Sequence, residues 1–80
     1  MNKNANKEIE IIINRFKKKD FDFTINKTTV LLKKFPDNDL LWNIKGLSLQ
    51  YTGNVRESID CFKTAINKNP KNIAVRNNLG

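Results

Sequence analysis

Cys61 carries the only thiol of this 80-residue chain, its one candidate for a strong nucleophile or a thiolate metal ligand, and the chain has no histidine. A thiolate needs a neighbouring base or cation to form near neutral pH, and a structural zinc site needs about four Cys or His donors. No histidine is present to serve as that base, and the zinc donor set is missing. A glycine-rich phosphate loop is missing as well, so no cofactor, no metal and no catalysis are expected. One cysteine excludes an intramolecular disulfide and fits a reducing, cytoplasmic setting. Standing one residue before Phe62, it reads as a small filler of a helix face.

The other available chemistry is electrostatic. Fifteen Lys and Arg stand against eight Asp and Glu, for a net charge of +7, and Arg15, Lys17, Lys18 and Lys19 crowd one corner that could meet phosphate. Binding single strands also needs aromatics on which bases stack, and the two nearby, Phe16 and Phe21, are sent inward by the helical phase. Twelve of the fifteen cations are Lys and Asn occurs thirteen times, which reads as a compositional bias and a solvated surface rather than a nucleic-acid footprint. A basic, RNA-associated helical repeat is therefore the alternative function. No apolar run approaches the ~18 residues of a membrane span, and Glu8 and Glu10 interrupt any signal-like core.

The elements that position these residues are helices. Trp42, Gly46 and Leu49 recur at i, i+4, i+7, and Val55, Ile59, Phe62 and Ile66 at i, i+4, i+7, i+11. Between the two stripes Gly53 and Asn54 reverse the chain, with Asn54 as N-cap and Glu57 completing a capping box. A glycine inside a helix costs about 1 kcal/mol relative to Ala, so Gly46 predicts close approach of the second helix near Ser58. Pro70 ends that helix. The same frame laid one period back pairs Asp20-Phe21 with Asn54-Val55, Ile25 with Ile59, Leu32 with Ile66 and Pro36 with Pro70. Helices are expected near 6–18, 22–34, 39–52 and 55–68, with the Lys17 to Asp20 corner between the first two and an N-cap from Asp37-Asn38-Asp39 before the third.

These residues resemble a tetratricopeptide repeat (TPR): Trp42, Gly46, Gly53, Ser58, Phe62, Ala65 and Pro70 stand where that family's pattern has its aromatic, small and helix-ending residues. Repeat 1 covers 5–38, repeat 2 covers 39–72 and a partial repeat 3 covers 73–80, all in one domain, 1–80. Repeat 1 is degenerate, with Glu8, Ile12, Thr24 and Thr28 at the Trp, Gly, small and aromatic positions. Ile12 against Thr24 is bulkier than Gly46 against Ser58, so the first two helices should sit farther apart.

The resemblance implies an all-α fold, antiparallel helix-turn-helix repeats in a right-handed α-α superhelix, whose first helices line a concave groove that binds a peptide or helix of another protein. Its groove positions fall here on Asn6, Ile9, Ile13, Phe16 and Lys17, then Leu40, Asn43, Leu47, Gln50 and Tyr51, then Ala74 and Asn77. The apolar members imply a hydrophobic partner, with Asn43, Gln50 and Asn77 placed to hydrogen-bond its backbone. Against this, some of them, Ile9 and Ile13 above all, are suited to packing on neighbouring helices. Members of the family that clamp a terminal carboxylate use Lys and Asn where this chain has Ile9 and Ile13, or Asn43 and Leu47, which argues against such a clamp. A chain ending within a repeat's first helix is expected of a piece of a longer array, either with no activity of its own or pairing with a second copy through exposed repeat surfaces.

Overall fold

The apolar stripes become four helices in the computed structural model, which describes residues 3–71: α1 (Lys3–Lys17), α2 (Phe21–Lys34), α3 (Asp39–Tyr51) and α4 (Val55–Lys68). Among the described residues there is no strand. Three of the four match the expected ranges to within a residue, and α1 starts earlier than expected. The expected third repeat, with Ala74 and Asn77, lies outside the described residues.

The corners show why each helix stops. After α1, Lys19 takes a left-handed conformation (φ 65°), its N–H donates to the Phe16 carbonyl at 2.9 Å and the Asp20 N–H to the Arg15 carbonyl at 3.0 Å. After α3, Gly53 (φ 89°) donates to the Gln50 carbonyl at 3.1 Å and Asn54 to the Leu49 carbonyl at 2.8 Å. Both are the paired C-terminal bonds that satisfy carbonyls left open at a helix end. Lys19 and Gly53 are one period apart, so the internal repetition is a repetition of backbone geometry. The ends of α2 and α4 correspond too, with Phe35 N–H on the Leu31 carbonyl and Asn69 N–H on the Ala65 carbonyl.

The expected capping box at Asn54 does not form. Asn54 sits at φ −89°, ψ 64° with no side-chain cap bond, and its Nδ2 donates to Thr52 Oγ1 at 3.1 Å. Its backbone is committed to closing α3, which holds it outside the extended region from which a cap side chain reaches back. Asn38, extended at ψ 101°, does cap: the Leu41 N–H donates to its Oδ1 at 3.1 Å.

α3 lies at the centre, against α4, α2 and α1, and its interface with α4 is the largest while that between α1 and α2 is smaller. The main core joins Ile9 and Ile12 of α1, Leu31 and Leu32 of α2, and Leu41 and Ile44 of α3. A second cluster gathers on Phe62 and Ala65, and Trp42 packs against both. The Trp42 Nε1–H donates to the Pro36 carbonyl at 2.8 Å, fastening the corner before α3 to its first turn. Gly46 is explained by Phe62 rather than Ser58: a Cβ at Gly46 would lie 2.6 Å from Phe62 Cε1.

Where repeat 1 lacks the small and aromatic residues, α2 and α3 close over hydroxyls. Thr24, Thr28 and Ser48 are fully buried, and the Thr24 and Ser48 oxygens lie 2.5 Å apart. Thr28 donates to the Thr24 carbonyl at 2.6 Å, and Ser48 has the Ile44 carbonyl within 2.9 Å. Small hydroxyl side chains bonded to their own helix let two backbones approach without burying an unsatisfied polar group. No buried side-chain N or O of the described residues lacks a hydrogen-bond partner.

Candidate functional site

α1 and α3 are neighbours, and most of the residues expected to line a groove lie on them. The structure distributes those residues unevenly. Ile9 is 7% exposed and belongs to the core, and Asn43 is 9% exposed, so these two leave little surface for a partner. Ile13 and Phe16 are half-buried against the first cluster and Leu47 against the second. Asn6, Leu40, Gln50 and Tyr51 are exposed, Leu40 at 39% and Tyr51 at 64%. The lower-lying members are thus scaffold, and the accessible apolar surface is carried by Leu40 at one end of α3 and Tyr51 at the other, about 16 Å apart at 1.5 Å per residue.

At the Tyr51 end the chain builds a cleft that the helical phase did not reveal. Phe16 and Phe21 were expected to point inward; they are half-buried and stand with Tyr51 in one aromatic group. Phe21 and Tyr51 stack at 5.1 Å and 14°, Phe16 meets Phe21 edge-on at 5.6 Å, and Phe16 lies 6.1 Å from Tyr51. The reason is their position at helix ends. Phe16 is in the last turn of α1, Phe21 opens α2 and Tyr51 closes α3, so the left-handed corner at Lys19 brings the three together at the edge of the main core, which Phe16 still touches. With Lys17 and Lys19 these rings line an open cleft of about 570 Å³. Phe21 and Lys19 were not among the expected groove residues. The signal for them was the correspondence of Lys19 with Gly53, which marks a tight corner and hence the meeting of helix ends.

The basic corner divides into engaged and available charges. The Arg15 guanidinium lies 3.4 Å from Asp20 Oδ2 and 5.0 Å above the Phe23 ring. Lys17, Lys18 and Lys19 are exposed, and none is in an ion pair among the described residues. Elsewhere Lys68 Nζ reaches Asp37 Oδ1 at 2.9 Å and Asn69 Nδ2 reaches Asp39 Oδ2 at 3.3 Å, tying the end of α4 to the corner before α3.

Cys61 is buried and unpaired. Burial pushes its thiol above the usual value; Lys45 opposes the shift, and Glu57 and Asp60 add to it. A thiol held neutral in this way is a poor nucleophile. The described residues contain no group of three or more His, Cys, Asp or Glu able to hold a metal ion, and no helix among them is long and apolar enough to cross a membrane.

Comparison with protein-family models, curated proteins and solved structures found no match. The resemblance to tetratricopeptide repeats accordingly rests on the residues and on the repeated corner geometry of this chain.

Proposed function

We propose that this chain is a TPR-like repeat module that binds a peptide or helix of another protein along α1 and α3, without catalysis, in the cytoplasm. The observation that carries the reading is the aromatic cleft of Phe16, Phe21 and Tyr51 at one end of α3, with Leu40 exposed at the other end and Leu47 half-buried between them. Large rings kept partly in water by helix ends that cannot bury them supply apolar area to an incoming side chain at low conformational cost. The superhelical reading is supported by the recurrence of corner geometry at Lys19 and Gly53 and by the seating of Phe62 on Gly46. A single free cysteine is in keeping with a reducing compartment.

An NMR titration of the isotopically labelled chain with two unlabelled peptides, one an amphipathic helix and one an extended apolar strand, tests this. Saturable shifts at Ile13, Leu47, Gln50 and Tyr51 are expected from at least one of them. Shifts confined to the outer face of α4 around Val55 and Ile59, or none, would contradict the proposal. The competing occupant of the same surface, a second copy of the chain, is read by sedimentation equilibrium of the free protein: a dimer dissociated by Tyr51→Lys would assign the surface to self-association.

A further inference from the structure

The charges around the aromatic cleft are not used by the fold. Lys17 and Lys19 line it and Lys18 lies between them; all three are exposed and in no ion pair among the described residues. The nearby carboxylates do not cancel them. Asp20 is engaged by Arg15, and Asp22 is the remaining anion, in the first turn of α2. The cleft therefore combines an apolar wall of three rings with a rim of uncompensated ammonium groups.

We propose that this cleft selects an acidic residue flanking an aromatic or aliphatic one, so that the peptide taken along α1 and α3 is anionic where it meets the α1–α2 corner. This rests on the reading of α1 and α3 as a peptide-binding face and names the chemistry of its ligand. The apolar side chain lies in the cleft against the wall formed by Phe16, Phe21 and Tyr51, and a carboxylate one or two residues along reaches Lys17 or Lys19 at the rim. The ammonium groups also repel cationic peptides, which supplies the discrimination.

A single nucleic-acid strand would satisfy the same charges, but the other aromatics do not favour it. Binding without base readout stacks successive bases on successive platforms. Here Trp42 lies beneath Lys45 with its Nε1 bonded to Pro36, Phe23 lies beneath Arg15, Phe35 packs on the core and Phe62 is 1% exposed. The described residues thus offer one aromatic cleft and no second platform beside it, which suits one anchoring side chain rather than a run of bases.

The test uses three probes against the labelled chain at low and at physiological salt: the capped tripeptide Asp-Phe-Asp, its uncharged twin Asn-Phe-Asn, and pentauridylate. It is run on the wild type, on Tyr51→Ser and on Lys17→Gln/Lys19→Gly. The double variant removes the rim charges without loading the fold, since Lys17 is exposed and Lys19 already holds the left-handed backbone that glycine prefers. The expected result is shifts at the cleft with the acidic peptide bound about three- to ten-fold more tightly than its twin, as two exposed ion pairs allow. That difference disappears in the double variant and shrinks with salt, and Tyr51→Ser weakens both peptides. Equal binding of the two peptides at the cleft would overturn the charge selection and leave the peptide-binding face standing. Shifts at Leu47 from the longer apolar peptides, with none at the cleft from either tripeptide, would remove the cleft as anchor while keeping the face. Tighter binding of pentauridylate, lost with the same lysines, would overturn the proposal in favour of nucleic acid. No shift with any peptide, long or short, would end both readings.

Discussion

At the scale of single residues, the fold turns on a few positions whose neighbours leave one acceptable side chain. Gly46→Ala should gain about 1 kcal/mol in helix propensity and lose more, because the new methyl would meet the buried Phe62 ring at 2.6 Å. A net loss of about 1–2 kcal/mol is expected, read as a drop in Tm of about 4–8 °C per kcal/mol for a chain of this size. Phe62→Leu in the same chain should recover part of it, so a double-mutant cycle in thermal unfolding will be non-additive. Lys19→Gly should act in the opposite direction: a lysine at φ 65° carries a steric penalty that glycine avoids, and a gain of about 0.5–1 kcal/mol in denaturant unfolding is expected. Trp42→Ala, which opens both clusters and frees the Pro36 carbonyl, should cost about 3 kcal/mol. Cys61 should react slowly with iodoacetamide in the folded chain and fast in denaturant. Its thiol is raised in the folded state, so its contribution to stability is present below the usual value of 9.0 and is lost as pH rises beyond it. Much of this was legible in the sequence: Gly46 announced a close contact, Trp42 and Cys61 announced packing. The partner of Gly46 was not, because Ser58 and Phe62 lie one turn apart on the same face and only side-chain reach separates them.

At the scale of elements, the helices were readable because their stripes are strong and their ends are marked by Pro36, Pro70 and Gly53. The corners were less so. Lys19 carries no residue preference that reveals its role and is a left-handed residue only by correspondence with Gly53; Asn54 takes the expected N-cap position of α4, but its N–H closes α3 and its side chain makes no cap bond. The site suffered most from the same limit. Helical phase decides which way a side chain points in the middle of a helix, but Phe16, Phe21 and Tyr51 lie at helix ends, where the neighbouring element has already turned away. The central place of α3 has a consequence for dynamics. Its amides should be the most protected in hydrogen exchange and those of α1 and α4 at the edges less so, with Ile44 and Leu49 exchanging only through global opening. Faster exchange in α3 than in α1 would mean that the core is not organised around it.

At the scale of the whole molecule, four helices pack two apolar clusters that meet at Trp42 and leave exposed apolar side chains on every helix: Ile11 on α1, Val30 on α2, the pair Leu40 and Tyr51 on α3, and the pair Val55 and Ile59 on α4. The proposed function assigns partner binding to the α3 pair. Leu47→Lys is a poor probe of it, since Leu47 packs on the Phe62 cluster and the change would load the fold; the exposed positions are better ones. The most direct measurement is the affinity, by fluorescence anisotropy, of whichever titrated peptide shifts the α3 resonances, compared between Leu40→Gln/Tyr51→Lys and Val55→Lys/Ile59→Lys. The account predicts that the α3 pair weakens binding by more than about ten-fold, as loss of two buried apolar contacts would, while the α4 pair leaves it unchanged. Loss of binding with the α4 pair and retention with the α3 pair would contradict it.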